Sequence, residues 1–260
     1  MLTTTADRER TLHVEHCMGT VFTIDIRDAG QWTGAVCDVV GWLHRIDRIF
    51  STYRPDSDIS RIRRRDMQVA DADRDVADVL DLCVQMHRET AGFFSALWSG
   101  QLDPTGLVKG WAIERAAELL RMHGSRNHAV SGGGDVQLAG QAAAGRPWRV
   151  GISDPHDRGR VLSVVTGRDF AVATSGNAER GDHVLNPFTA ALPRDLASVT
   201  VVGPSLTRAD CYATAAFAMG ANATAWLEAQ PGHEGLVVSA TGSVTSTTGW
   251  TGGPMQDPQE

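Results

Sequence analysis

Lysine is nearly absent from this sequence: Lys109 is the single lysine, and arginine supplies the rest of the 24 Lys and Arg side chains. Acidic side chains outnumber them at 31, giving a formal net charge of −7. A general nucleic-acid binder needs a clustered basic surface to neutralise phosphates, so nucleic acid is not an expected partner. The one basic cluster, four arginines within residues 61–65, is interpreted as solvated surface beside an acidic stretch.

Cysteine pairs and long apolar runs are also missing. The four cysteines lie far apart with no Cys-x-x-Cys pair, and we interpret them as reduced, mostly packed thiols. No apolar run approaches the roughly 18 residues needed to cross a bilayer, and the polar segment 1–10 lacks the apolar centre of a signal peptide. We therefore expect a cytoplasmic protein with no membrane insertion.

The hydrophobic pattern predicts strands and helices in separate blocks. A two-residue period over residues 22–26 predicts a strand. Three- and four-residue steps predict helices at 32–50, 76–86, 107–122 and 209–219. Short strands fill most of the second half, so the pattern predicts an α+β fold. No Pro- or Ser-rich linker divides the chain, and we expect one domain over 11–250 between disordered tails at 1–10 and 251–260.

Lys109 is the most informative single residue. Because arginine supplies every other Lys or Arg side chain of the chain, a retained lysine indicates a need for a compact ammonium that a planar guanidinium cannot imitate. It lies between Gly106 and Gly110 at the start of a predicted helix, where free N–H groups and the helix dipole suit phosphates. The segment is not a Walker A loop, because its glycine spacing and the following Ser or Thr are missing. The alternative is a chance surface lysine.

A second candidate segment is Gly132–Gly134 followed by Asp135, between two short predicted strands. Glycines let a ligand approach the backbone, and the Asp135 carboxylate can hold a hydroxyl or a phosphate-bound cation. A plain glycine-rich hairpin turn would have the same sequence. Both interpretations stay open at this point.

A third candidate pair is Asp210 and Thr214. Four residues apart on a helix, they place a carboxylate and a hydroxyl on one face, and such oxygens suit a hard cation such as Mg²⁺. The alternative is that Asp210 caps a helix that begins there, while Thr214 bonds back to a carbonyl of the preceding turn.

The loop over residues 173–187 is rich in hydroxyls, charges and glycine, as functional loops often are. Its His183 can act as a general base near neutral pH. The chain has eight other histidines, so an ordinary surface histidine is the alternative.

Taken in order, seven segments resemble the FAD:protein FMN transferase family, also called ApbE-type flavin transferases. They are residues 18–20, 53–60, 92–94, 103–111, 133–135, 173–187 and 209–214. The likeness runs from about Met18 to Val238 and is closest to the short form typical of actinobacterial members. It implies a single ApbE-like, T-fold-related α+β domain with mixed or antiparallel sheets and flanking helices.

The resemblance also implies a chemistry. Members transfer the FMN half of FAD, in a Mg²⁺-dependent reaction, to a Ser or Thr hydroxyl of an acceptor protein and release AMP. By position, Asp210, Thr214 and the backbone carbonyl of Gly106 would bind the metal, and His183 would activate the acceptor hydroxyl. The residues expected to line the FAD site are Met18, Tyr53, Phe93, Phe94, Ser95, Asp103, Lys109, Gly133, Asp135 and Ser175. An FAD pyrophosphatase and a non-catalytic FAD-binding protein are the alternatives.

Three positions depart from the family pattern. Ser95 stands where the family usually has Asp, Ala178 where it has Tyr, and Asn186 where it has Asp. Each change removes a side chain that would orient the ligand or the base. Ligand binding is therefore expected to be better preserved than the reaction rate.

Overall fold

An antiparallel sheet forms the frame of the molecule. The computed structural model describes residues 10–97, 100–157, 159–176 and 184–254. Its strands are β1 (Thr11–Cys17), β2 (Thr20–Ile26), β3 (His128–Gly132), β4 (Asp135–Ala139), β5 (Trp148–Ser153), β6 (Val161–Gly167), β7 (Ala171–Gly176), β8 (Leu196–Gly203), β9 (Glu234–Ser239) and β10 (Val244–Ser246). Eight of them form one sheet in the order β1-β2-β3-β4-β7-β8-β9-β10, and β5 pairs with β6 in a separate hairpin.

Helices cover one face of this sheet. They are α1 (Thr33–Phe50), α2 (Asp58–Arg63), α3 (Arg74–Glu89), α4 (Thr105–Met122), α5 (Leu206–Met219) and α6 (Ala223–Glu228). Helix α4 packs between α1 and α5 and lies on β3 and β4, while α5 lies on β7 and β8. Helices α4 and α5 therefore pack as a second layer on the central strands, and the functional side chains project from both layers.

Strand alternation divides the core into two apolar layers. In β7, Ala171 and Ala173 face the helices, whereas Val172 between them faces the β5–β6 hairpin with Trp148 and Phe170. Successive side chains of a strand point to opposite faces, so one sheet supports both layers. The hairpin is thus fixed to the molecule by its own apolar cluster.

The predicted α+β architecture of antiparallel sheet and flanking helices is confirmed. The predicted helix near 209–219 begins earlier, at Leu206, because the side chain of Ser205 caps it by accepting the N–H of Arg208 at 3.4 Å. The alternative in which Asp210 is the N-cap is therefore wrong. Strands β1 and β10 and helices α2 and α6 were not predicted from the sequence, and all of them but β1 have at most six residues.

The ends of the predicted domain fall close to the limits of the described residues. Residues 1–9 and 255–260 of the predicted tails lie outside them. At the first described residue, Arg10 pairs with Asp25 at 2.7 Å. Near the last, the backbone of Gly253 exchanges two hydrogen bonds with Val164 of β6. In the part of the chain that the structure describes, no helix combines the length and apolarity needed to cross a bilayer.

Candidate functional site at one end of the sheet

A cleft of about 1260 Å³ runs across one end of the large sheet. The β1–β2 turn, the β3–β4 turn, the end of β7 and the start of β8 all reach this end, because neighbouring strands are antiparallel. From β2 to β8 the sheet order spans four strand spacings, or about 19 Å at the usual ~4.8 Å each. Such a cleft suits an extended ligand with several distinct groups.

Two hairpin turns bring backbone to the cleft. Met18 and Gly19 (φ 50° and 68°) connect β1 to β2, and Gly133 and Gly134 (φ 57° and 87°) connect β3 to β4. Two successive residues with positive φ form the turn that matches strand twist in short hairpins. The glycine segment is therefore a hairpin turn, and Gly133 also lines the cleft. Met18 holds the left-handed conformation without being glycine, a strain that tends to occur at functional sites.

Lys109 lies at the centre of the cleft between two carboxylates. Its ammonium pairs with Asp135, which is fully buried, and lies 3.2 Å from Oδ2 of Asp210. The Asp135 carboxylate is fixed in turn because its Oδ1 accepts the N–H of Thr174 at 3.0 Å. Only 14% of the lysine side chain is exposed, so it is not a chance surface lysine. A buried charge of this kind must be paired, which fixes where the ammonium can lie.

Gly110 lets the Lys109-bearing helix approach Asp210 closely. A Cβ at Gly110 would lie only 2.9 Å from the Asp210 side chain and 3.0 Å from the Leu206 carbonyl. The bare backbone instead donates its N–H to Asp210 Oδ2 at 3.1 Å. The Lys-Gly pair thus supplies an ammonium and a backbone donor to the same carboxylate.

Hydroxyl groups continue the polar surface beyond this carboxylate. The Ser175 and Thr214 hydroxyls lie 3.1 Å apart, one on β7 and one a helical turn after Asp210 on α5. The Thr174 hydroxyl pairs with that of Thr200 at 2.9 Å. Helix α5 is held in place at its start by Glu114 of α4, which accepts the Thr207 N–H at 2.8 Å.

Aromatic side chains form another part of the cleft wall. Phe94 is buried against Gly106, and Phe93 meets Phe188 edge-on with ring centroids 4.9 Å apart. Tyr53 is 97% exposed at the cleft margin. Large planar groups of a ligand can pack against such rings.

The oxygen atoms near Asp210 fit a hard divalent cation. The Asp210 carboxylate, the Thr214 hydroxyl and Gly106 line the same cleft, and the Gly106 carbonyl has two lone pairs, of which a helical hydrogen bond needs one. Carboxylate, hydroxyl and carbonyl oxygens are the ligands that Mg²⁺ and Ca²⁺ prefer. Among the described residues there is no group of three His, Cys, Asp or Glu side chains placed around a common ion position, so such a site would depend on one carboxylate and neutral oxygens.

The structure brings nearly all predicted site residues to this cleft. Twelve of the fourteen line it: Met18, Tyr53, Phe93, Phe94, Ser95, Asp103, Gly106, Lys109, Gly133, Ser175, Asp210 and Thr214. Asp135 lies behind the lining as the partner of Lys109. His183, with Ala178, lies outside the described residues.

Other cleft residues were not predicted from the sequence. The β5–β6 hairpin contributes Ser153, Asp154 and Pro155, and Ser198 starts the β8 side. Asp154 is buried, and its Oδ1 accepts the N–H of His156 at 2.9 Å. The Asp-Pro pair directly after a predicted strand was the available signal, since polar groups at strand ends often lie at sites.

Comparison with solved structures defines the class of fold. The "apbe protein" of Thermotoga maritima superposes with a TM-score of 0.82 at 22% identity, covering 92% of this chain and 97% of that one. The Vibrio cholerae structure, "Flavin Transferase ApbE", gives 0.80 at 21% identity with the same coverage. At these identities the likeness establishes a common fold.

Sequence comparison then establishes the family. The ApbE family model matches residues 18–99 and 97–237, and the chain belongs to the ApbE family. Proteins named FAD:protein FMN transferase are similar to it, with 33% identity over 129 residues in Vibrio cholerae and 33% over 168 residues in Treponema pallidum. These alignments cover 46% and 57% of this chain but 39% and 46% of the relatives, so the match spans less than half of each curated relative.

Proposed function

We propose that the protein is a Mg²⁺-dependent FAD:protein FMN transferase, which moves FMN from FAD to a Ser or Thr hydroxyl of an acceptor protein and releases AMP. The observation that carries the proposal is the central group of Lys109, Asp135 and Asp210, in which the chain's single lysine lies within a cleft long enough for a dinucleotide. Membership of the ApbE family and the names of the similar proteins support the same activity.

Charge balance in the cleft supports the need for a cation. Asp103, Asp154 and Asp210 line it and Asp135 lies just behind, whereas Lys109 is the single Lys or Arg among the described lining residues. A diphosphate would meet an excess of negative charge there, and like charges repel strongly where water is limited. A magnesium ion held by Asp210, Thr214 and the Gly106 carbonyl would neutralise that charge and the diphosphate.

The protein's own groups have separate tasks in the proposed reaction. Lys109 binds a phosphate oxygen, and the aromatic side chains Tyr53 and Phe93 pack against a ring system of FAD. The acceptor hydroxyl oxygen attacks the phosphorus of the FMN half, the bond between that phosphorus and the bridging oxygen breaks, and AMP leaves with the bridging oxygen. The hydroxyl proton passes to a general base, for which we propose His183.

Asn186 contributes to loop structure. Its Oδ1 accepts the N–H groups of Phe188 and Thr189 at 2.9 and 3.2 Å, and its amide donates to the Ala218 carbonyl. An aspartate could accept the first two bonds and could not donate the third. The departure from the family pattern at this position is therefore explained by a turn and does not by itself favour a non-catalytic protein.

The test is a reaction of the protein with FAD, Mg²⁺ and a candidate acceptor protein, followed by the intact mass of the acceptor and by AMP release. An acceptor mass increased by FMN together with AMP supports the transferase. Free FMN and AMP without modified acceptor would identify an FAD pyrophosphatase, and FAD binding with no AMP under any condition a binding protein. His183→Ala should leave FAD binding unchanged and slow transfer by roughly 10²- to 10⁴-fold, the usual contribution of a general base.

A further inference from the structure

A second cavity of about 600 Å³ lies beside the cleft, and we call it the arginine groove. Arg63, Arg64 and Arg65 line it, together with Gln101 and Tyr53. Its volume is in the range of pockets that hold a small ligand or a short peptide segment. These arginines were interpreted from the sequence as ordinary solvated surface.

The arginine groove carries a concentrated positive charge. No Asp or Glu is among its described lining residues, although the whole chain has a net charge of −7. Arg63 donates to the neutral side chain of Gln101, and Arg64 pairs at 2.9 Å with Asp66, where both side chains are about half exposed. Arg65 is exposed, and the structure assigns its side chain no partner within the described residues. Arg64 also donates to the Pro55 carbonyl at 2.8 Å, so Arg65 offers the guanidinium group that is available to an anionic partner, and Arg64 can contribute by exchanging its exposed contacts.

Tyr53 connects the arginine groove to the cleft. It lines both, and its side chain is 97% exposed. Tyrosine and arginine are the residue types that most often dominate the energy of protein interfaces. A ligand segment in the groove would thus continue directly into the cleft where the proposed transfer occurs.

We propose that the arginine groove binds an acidic segment of the acceptor protein and guides the neighbouring Ser or Thr into the cleft. This inference rests on the proposed transferase function, which requires a protein chain to reach the cleft. Asp and Glu side chains form charge-assisted hydrogen bonds with guanidinium groups. Nucleic acid and anionic membranes are disfavoured as occupants because the chain has a net charge of −7, and both present long arrays of negative charge that a net negative protein repels.

The test uses three short fluorescein-labelled peptides that each contain one Thr: an acidic one, one with Asn and Gln in place of Asp and Glu, and one with Lys. Fluorescence anisotropy with the full chain should give at least about tenfold tighter binding of the acidic peptide than of the neutral one, equivalent to one or two charge-assisted contacts. Arg64→Gln/Arg65→Gln should remove most of that preference, and Arg65→Glu alone should reverse it. FAD affinity should stay unchanged in both variants.

The matched control is Arg74→Gln/Arg115→Gln, which removes the same charge at two exposed positions that do not line the groove. It should keep the preference for the acidic peptide. Equal binding of acidic and neutral peptides, an equal loss in both double variants, or tighter groove-dependent binding of single-stranded DNA or phosphatidylserine vesicles would each overturn the inference. FAD binding and AMP release are measured separately, so a failure of the groove leaves the transferase proposal intact. A failure of AMP release with acidic-peptide binding intact overturns the transferase proposal and the acceptor-guiding role that rests on it, while the binding of acidic segments by the groove stands.

Discussion

Two cationic regions of this molecule differ in the number, the burial and the pairing of their charges. Lys109 is a single ammonium, 14% exposed, held between Asp135 and Asp210. The arginine groove has several guanidinium groups, and Arg64 and Arg65 are exposed. A buried charge depends on its partners and their geometry, whereas exposed charges act mainly through their sign and screened attraction. One region is therefore suited to positioning a reacting group and the other to attracting a partner.

Of the variants considered, Asp210→Ala should lose the most activity, because it removes the carboxylate shared by Lys109 and the Gly110 N–H. We expect Mg²⁺-dependent turnover of FAD to be lost. AMP release and isothermal titration with Mg²⁺ are the measurements. Stability should fall by about 1–3 kcal/mol, because the buried Gly110 N–H and the Lys109 ammonium each lose one acceptor.

Asp210→Asn is the control for that variant. Its amide oxygen can still accept the Gly110 N–H, so stability should be better kept, while the charge that binds the metal is lost. Turnover should therefore fall nearly as far as in the Ala variant. Normal turnover in the Asp210→Asn protein would show that the carboxylate charge has no part in the reaction.

Asp135→Asn should destabilise the protein more than any exposed charge change. The side chain is fully buried against the Lys109 ammonium, and removing one partner of a buried ion pair typically costs about 3–5 kcal/mol. Because Lys109 retains the Asp210 carboxylate, we expect the lower end, about 3 kcal/mol. Urea unfolding monitored by tryptophan fluorescence measures it. Arg115→Gln, which breaks the exposed pair with Glu118, should change stability by less than about 1 kcal/mol, and equal losses in the two variants would contradict the comparison.

The sequence was informative about the centre of the site for a physical reason. The constraints on Lys109 and Gly110 come from Asp135 and Asp210, far along the chain, but they select the residue type at each position, so a single lysine in an arginine-rich chain is visible in the sequence. The start of α5 was misplaced because Asp210 is also a good capping residue, and only the fold shows that Ser205 caps the helix. Asp154 was not predicted because it reaches the cleft through the packing of the β5–β6 hairpin. That packing is a long-range arrangement, and it leaves no periodic pattern in the sequence around Asp154. The arginine groove depends likewise on α2 meeting residues 100–102.

Lys109→Arg tests whether charge alone is enough in the buried region. The larger planar head cannot occupy the space between Asp135 and Asp210 in the same way, so we expect FAD affinity to fall by about tenfold or more, equivalent to about 1.4 kcal/mol. FMN affinity should fall less, because FMN lacks the second phosphate and the adenosine. Quenching of flavin fluorescence gives both constants. Wild-type affinity for FAD in the Arg variant would mean that the shape of the cation is unimportant.

The reciprocal change, Arg65→Lys, should have the smallest effect. Arg65 is exposed and already holds a left-handed backbone with φ 64°, a conformation that costs about the same for either side chain. Surface substitutions of this kind usually change stability by no more than about 0.5 kcal/mol, and FAD affinity should not change. Because Lys keeps the charge, acidic-peptide binding should fall by no more than about threefold, while Arg65→Gln should lower it further. If Arg65→Lys reduced FAD affinity as strongly as Lys109→Arg, then the two cationic regions would not have the separate roles that their burial and partners indicate.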